Sequence, residues 1–216
     1  MVFILIIAKC FVMDFKETIN IIKIIFEFFV PLISIFTLIK GIFEYSKAQK
    51  WKKSEFLVKE IKEFNNDSDV QNAFLMLDWN NIDITTLNIN VEETKKFYFN
   101  DHLFENSLKH HKEKTFTPEE AVIRLIMDAF LFKLGMFQNY LKSKLITAND
   151  LKPYIIYWIE IIGDTNNDRK SKSVRLQLWR YINYYQYDSV IELCKNYGFN
   201  IGTEKKPILT SYKNET

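Results

Sequence analysis

Few side chains of this sequence stand at spacings that would support metal or nucleophilic chemistry. His110 and His111 are adjacent, whereas a zinc-binding helix spaces its histidines four residues apart, so we interpret them as solvated loop histidines. The segment from Asp164 to Asp168 begins like a calcium loop, but Arg169 replaces the glycine that such a loop needs. With five glycines in the chain, no phosphate-cradling loop is present either. We expect no catalytic residue, no cofactor and no metal.

Arg124 and Asp128 have the spacing of an ion pair. They lie four residues apart in a segment predicted to be helical, so both side chains would lie on one face, beside largely apolar neighbours. Such a pair is either a structural latch or half of a binding site. We favour the latch.

A run of basic and aromatic residues near the C-terminus is the candidate anion-binding patch. Its members are Lys170, Lys172, Arg175, Trp179 and Arg180. This mixture is typical of surfaces that hold single-stranded nucleic acid or anionic lipid. The alternative is an amphipathic helix whose aromatics belong to the core and whose basic side chains face water. We favour the alternative and do not expect nucleic acid as a partner.

Three tryptophans are candidates for contact with another protein. Trp51, Trp79 and Trp158 are large amphipathic side chains, and tryptophan is enriched among the residues that dominate binding energy at interfaces. Each could instead be part of the core.

One segment near the N-terminus has the composition of a membrane span. The sixteen residues from Ile24 to Ile39 carry a single charge, on Glu27. As a helix they span roughly 24 Å, which is short of the hydrocarbon core of about 30 Å. If the Lys40 side chain extends its ammonium to the headgroups, the span continues to Phe43 and reaches roughly 30 Å. The sequence therefore predicts a transmembrane helix at 24–43 within the lipid bilayer. The alternative is a buried core helix.

The lysines around this span predict its orientation. Four follow within ten residues of Phe43, and three lie before the span. They are Lys47, Lys50, Lys52 and Lys53 after it, and Lys9, Lys16 and Lys23 before it. Because positive charge favours the cytoplasmic side, we expect a single-pass protein of the bacterial inner membrane with its C-terminal domain in the cytoplasm.

Residues 1–23 are predicted to be an N-terminal extension. Their first twelve residues are apolar but too short to cross a bilayer, and Lys9 interrupts them. They are either a signal peptide, although no small-x-small cleavage site follows, or an untranslated stretch if the true start is Met13.

The rest of the chain predicts a mainly α domain at 44–198, of about five helices with a minor strand or hairpin, reached through a helical stalk. Residues 95–114 are ambiguous between an irregular helix and a loop, and 199–216 are predicted to be a flexible tail. The predicted elements are the stalk 51–64, a strand or hairpin at 82–91, and helices at 69–79, 117–143, 147–163, 174–185 and 188–197.

Capping residues mark several of these helix starts. Asp67 or Ser68 can cap the helix at 69–79, and Thr117 and Thr147 each precede an acidic residue by three positions, the spacing of a capping box. Because only a few residues separate the helices that begin at Thr117 and Thr147, we expect those two to form an antiparallel hairpin.

Several strings within residues 50–198 carry a resemblance. They are WKKSEFLVKEIKEF, MLDWN, FTPEEAVIRLIMDAFLFKLGMFQNYL, LKPYIIYWIEII and YINYYQYDSVIELCKNYG. Together they are similar to a group of uncharacterised bacterial proteins. The resemblance implies an N-terminal membrane helix followed by a small helical domain, and it implies no activity, since these strings are packing and capping patterns.

These patterns predict an interaction protein rather than an enzyme. We expect a membrane-anchored cytoplasmic module that binds a protein partner or forms a homo-oligomer at the inner membrane. Two alternatives are a membrane-perturbing effector of a defence or toxin system and a membrane-tethered nucleic-acid binder. The formal net charge of +2 gives no general attraction to nucleic acid.

Overall fold

The computed structural model describes the backbone of residues 2–87 and 94–202, and the side chains in those ranges outside 2–14, 16, 21, 85–87 and 94–96. The prediction of a mainly α protein with a minor hairpin is confirmed. The helices are α1 (Val2–Asn66), α2 (Ser68–Asp78), α3 (Asp101–Ser107), α4 (Pro118–Lys142), α5 (Ala148–Gly163), α6 (Lys172–Tyr184) and α7 (Asp188–Asn196). The strands are β1 (Asn81–Leu87) and β2 (Thr94–Asn100).

Helix α1 contains a stretch long and apolar enough to cross a membrane, judged by length and composition. Every side chain from residue 22 to 55 is exposed. Within this stretch the Ser34 hydroxyl donates to the Val30 carbonyl at 2.8 Å, and the Thr37 hydroxyl donates to the Ile33 carbonyl at 2.7 Å. Polar side chains bonded back to their own helix are compatible with an apolar environment.

The chain divides into two compact units after Lys52. The first holds the apolar stretch. The predicted extension at 1–23 is helical from Val2 onward, and Met1 lies outside the described residues. The second unit, from Lys53, is the packed domain in which the remaining elements lie.

Helices of the second unit begin where the capping residues predicted. The Asp67 carboxylate accepts from the backbone N–H groups of Asp69 and Val70. Thr117 and Thr147 both form complete capping boxes, with Glu120 and Asp150 as their reciprocal partners. These caps pair N–H groups that the first turn of a helix cannot satisfy itself.

The ambiguous stretch at 95–114 contains a strand and a helix, so its interpretation as an irregular helix or loop is corrected. Strand β2 pairs antiparallel with β1, with Ile82 opposite Phe99, and Asn100 then caps α3 by accepting from Leu103 N at 2.8 Å. Helix α3 is one more than the five predicted, because seven residues are too few to show a helical period. Ile89 and Val91, which the sequence placed in the hairpin, lie outside the described residues.

Helix α4 is central to the hydrophobic core. Its inward face contributes Ile123, Phe130 and Leu134, all fully buried. Its main neighbours are α7, α2 and α3, whereas α5 packs mainly on α2, α6 and α7. The predicted antiparallel hairpin of α4 with α5 is therefore wrong, since the short connection does not make them primary neighbours.

The predicted flexible tail is wrong for its first residues. Ile201 is buried, and its carbonyl accepts a hydrogen bond from Asn183 Nδ2 at 2.8 Å. Phe199 packs against Gly163 at the end of α5. Residues 199–202 thus belong to the packed domain, while residues 203–216 lie outside the described residues.

Replacing Gly163 by alanine should lower the free energy of unfolding by about 1–3 kcal/mol through overpacking. A Cβ atom at Gly163 would lie 2.6 Å from Phe199 Cβ and 2.9 Å from its Cγ. Urea denaturation of the full chain in detergent micelles measures the loss. Phe199→Gly removes both of these atoms, so in that variant Gly163→Ala should cost less stability. If Gly163→Ala lowered the free energy of unfolding equally with and without the Phe199 side chain, this packing would be contradicted.

Candidate functional site

The candidate anion-binding patch, against which the amphipathic-helix alternative is favoured, loses its first member at Lys170, which is buried with 4% exposure. Its ammonium donates to the Trp79 carbonyl at 2.6 Å, to Asn80 Oδ1 at 3.4 Å and to Asp101 Oδ1 at 2.6 Å. Burial lowers the pKa of Lys170, and the Asp101 carboxylate offsets part of this effect. All three donor positions of Lys170 are thus directed inward, where they join the end of α2 to the start of α3.

Arg175 is buried as well and fills the centre of the loop that resembled a calcium site. Its guanidinium donates to the carbonyls of Thr165 at 2.9 Å, Lys170 at 3.2 Å, and Asn167. Carbonyl oxygens that converge in this way are cation ligands, and here the cation is the protein's own arginine. Arg175 therefore holds the loop before α6 in place.

Trp179 belongs to the core, as the favoured alternative expects of the aromatics, whereas that alternative is wrong in placing Lys170 and Arg175 in water. The indole Nε1 of Trp179 donates to the Ile162 carbonyl at 2.6 Å, and the ring is buried. Of the five predicted members, Lys172 and Arg180 alone have exposed side chains. The patch reflects internal packing, and the sequence could not show this because the partner Asp101 lies far away in the chain.

The predicted ion pair of Arg124 with Asp128 is absent from the ion pairs among the described residues. Arg124 Nη1 donates instead to the carbonyls of Ser107 at 2.7 Å and Lys109 at 2.8 Å, and Nη2 donates to the Tyr185 hydroxyl at 2.8 Å. Arg124 thus joins α4 to the end of α3 and to the end of α6.

Asp128 has two tyrosine partners of its own. The hydroxyls of Tyr181 and Tyr187 both donate to Asp128 Oδ1, at 2.5 Å and 2.6 Å. Burial and the Asp128 carboxylate raise the pKa of both hydroxyls, so they remain protonated donors. Both charged residues therefore act in packing α4 against α6 and its following turn.

The histidine pair lies beside this network. His111 is exposed, and its Nδ1 lies 3.0 Å from the Tyr185 hydroxyl. His110 packs against Tyr184 at 3.8 Å between ring centroids and accepts from Lys112 N at 3.2 Å. Burial and the neighbouring His111 lower the pKa of His110. His111 is therefore a solvated loop histidine, as expected, and His110 is a half-buried loop histidine.

The three tryptophans have different environments. Trp51 lies in the first unit and is exposed, Trp79 ends α2 and is exposed, and Trp158 is half-buried. The indole of Trp158 stacks on Phe74 at 3.7 Å between ring centroids, which anchors it to the core. In the second unit, Trp79 is therefore the member of this set that remains available for contact.

A more extensive exposed apolar surface lies on α4. Leu125, Phe132 and Met136 are 69%, 66% and 36% exposed. Their spacing of seven and then four residues places them on one face of the helix, opposite the buried face that contains Phe130. We call these three residues the α4 stripe.

A groove adjoins the α4 stripe at Met136, with a cavity volume of about 270 Å³. It lies between α4 and the last turns of α1, and Phe64 and Phe137 are among its apolar lining residues. Glu60 and Glu63 are among its polar lining residues. The groove and the stripe share Met136 and so form one continuous surface of the second unit.

Sequence reasoning missed the α4 stripe because α4 is apolar on nearly every side. Ile126, Phe130 and Phe137 form one apolar row at helical spacing, and all three are buried. The signal available in the sequence was a second apolar row at Leu125 and Phe132. A helix with two apolar rows has two surfaces to cover, and the domain covers one of them.

No family model, curated protein or solved structure matches this chain. Among the described side chains, no three of His, Cys, Asp or Glu are grouped to hold a metal ion.

Proposed function

We propose that this protein is a membrane-anchored interaction module, which binds a protein partner or a second copy through the α4 stripe. Its setting is the bacterial inner membrane, with the packed domain in the cytoplasm. The observation that carries the proposal is the row of exposed apolar side chains formed by Leu125, Phe132 and Met136.

The form of the stripe supports a role in binding. Single exposed apolar residues are common on protein surfaces, but a row on one helical face is the arrangement used in helix-in-groove recognition. Phe132 at its centre offers a large aromatic side chain with few rotatable bonds, as found at many interface anchors. The adjoining groove adds concave apolar surface beside Met136.

The anchor supports the location. Residues 24–43 lie within the apolar stretch of α1, and the four lysines from Lys47 to Lys53 follow it closely. Positive charge next to a span favours the cytoplasmic side, and the resemblance to bacterial membrane proteins suggests the inner membrane. Tethering would raise the effective concentration of the domain for partners held at the same membrane.

The alternative of a tethered nucleic-acid binder loses its support. Lys170, Arg175 and Trp179, which motivated it, use their polar groups inside the domain. For the alternative of a membrane-perturbing effector, the described residues provide no specific observation in its favour.

Photo-cross-linking in cells tests the proposal. With benzoylphenylalanine in place of Phe132, we expect discrete cross-linked adducts, while the same group at Tyr98, an exposed aromatic of the hairpin, should yield none. Replacing Leu125 and Met136 by serine should reduce the Phe132 adducts by about tenfold, since removing an apolar side chain from an interface costs on the order of 1 kcal/mol.

The stability of the serine variants shows whether they still fold. Both positions are exposed, so we expect the free energy of unfolding to change by about 1 kcal/mol or less, mostly from helix propensity. Equal adducts at Phe132 and Tyr98, or adducts that survive both serine substitutions, would refute binding through the α4 stripe.

A further inference from the structure

We propose that the occupant of the α4 stripe is an amphipathic helix of a different protein, with basic residues at the end that lies over Glu60 and Glu63. This inference rests on the proposed function and specifies the chemistry of its partner. Three features carry it: the spacing of the stripe, the charge of the adjoining groove, and the charge at the opposite end of α4.

The spacing fits a helix. Leu125 and Met136 are eleven residues apart, so the stripe extends over roughly 16 Å, or three helical turns. A partner helix that presents apolar residues at i, i+4, i+7 and i+11 would match this length along one face. A partner strand would instead need an unpaired sheet edge, and the stripe is the side of a helix.

The groove beside Met136 is acidic. Asp67 forms an ion pair with Lys133, which leaves Glu60 and Glu63 as the charged lining residues without a cation from the groove itself. Glu63 is 64% exposed, and its contact with Lys59 is long, at 3.8 Å. Glu63 is therefore accessible to a basic side chain from outside, and the half-buried Glu60 lines the same groove.

Tyr140 holds Glu60 in position at the groove wall. Its hydroxyl donates to Glu60 Oε2 at 2.6 Å. Burial and the Glu60 carboxylate raise the pKa of Tyr140 to about 12, so the hydroxyl stays protonated and remains a donor at neutral pH. A carboxylate fixed in this way can accept a charge-assisted hydrogen bond from lysine or arginine with less ordering cost.

A second copy of this chain is a poorer occupant. If two copies paired antiparallel along α4, the groove of one would approach the first turn of α4 in the other. That turn carries Glu119, which is exposed, and Glu120, which already pairs with Lys114 at 2.5 Å. Because Glu120 is itself buried and paired, that turn would present Glu119 and no lysine or arginine to Glu60 and Glu63, so this pairing lacks charge complementarity.

The test uses the full chain in cells, with benzoylphenylalanine in place of Phe132. It measures how the yield of adducts from this position depends on the charge of the groove. We expect Glu63→Lys to reduce the adducts by about tenfold, because the new ammonium would repel a basic partner. Glu55→Lys, an equal charge change at an exposed position of α1 outside the groove lining, should leave them unchanged. Glu60→Gln, which keeps an acceptor for Tyr140, should give a smaller reduction.

Mass spectrometry of the adduct then identifies the occupant. A segment of another protein with apolar residues at three- to four-residue spacing and lysine or arginine at one end is the expected result. Adducts that persist in Glu63→Lys, or that map to a neutral or acidic segment or to this chain itself, would overturn the inference while the α4 stripe remains a binding surface. Absence of adducts at Phe132 would overturn both the inference and the proposed function.

Discussion

Replacing Asp101 by alanine should lower the free energy of unfolding by about 3–5 kcal/mol, because it leaves a buried charge without its partner. The Lys170 side chain is 3% exposed and lies 2.6 Å from the Asp101 carboxylate. The Trp79 carbonyl and Asn80 Oδ1 would still accept from the ammonium, but neither carries a full charge, and Asp78 acts on it only at longer range. Few single substitutions at a partly exposed position have an effect this large.

Urea denaturation of the full chain in detergent micelles measures this loss. Asp83→Ala is the matched control, since Asp83 is exposed on β1 and its removal should change stability by about 0.5 kcal/mol or less. Adding Lys170→Met to Asp101→Ala should recover part of the loss, because the unpaired charge is then gone. A loss below about 1 kcal/mol for Asp101→Ala alone would show that Lys170 is not held as described.

Two arginines in the middle of the apolar stretch should prevent membrane insertion. On insertion scales a charged residue at the centre of a span costs about 2.5–3.5 kcal/mol, so Ile33→Arg with Phe36→Arg should cost roughly 5–7 kcal/mol. Both positions are exposed on α1 and lie within the predicted span at 24–43. They belong to the first unit and so lie outside the packed domain.

Membrane flotation of the double variant measures the effect. We expect the variant to leave the membrane fraction or to be degraded, while the control with leucine at both positions should float with the wild type. A double-arginine variant that still floats with membranes would mean that residues 24–43 do not form the span.

The parts of the fold that the sequence predicted correctly depend on local chemistry. Thr117 and Thr147 stand three residues before an acidic partner, and a capping box needs nothing else to define a helix start. Asp67 likewise caps α2 through the backbone N–H groups that follow it directly. Interactions between residues three positions apart can be read from a sequence without knowledge of the fold.

The errors concern long-range partners. The sequence indicates Lys170 and Arg175 as basic side chains of a surface, because their partners at Asp101 and in the loop before α6 become neighbours only after folding. Arg124 was given Asp128 as a partner for the same reason, although Ser107 and Lys109 supply its acceptors. Spacing along a helix identifies possible pairs, but it does not show which acceptors tertiary packing brings closer.

The α4 stripe shows a second limit of periodicity. Apolar residues on both sides of α4 indicate that the helix has two surfaces to cover, but not which of them the domain itself buries. Folding covers Phe130 and leaves Phe132 exposed, two positions apart in sequence. The α4 stripe can therefore be located only from the packing of α4.

Fractionation of cells that express the wild-type chain with a C-terminal reporter is the most direct test of a membrane-anchored domain in the cytoplasm. We expect the protein to sediment with membranes, to stay there during an alkaline carbonate wash, and to keep its reporter intact when protease is added outside the cytoplasmic membrane. A reporter that is degraded by external protease would reverse the orientation. Recovery of the chain in the soluble fraction would contradict the anchor, and with it the proposed role at the membrane.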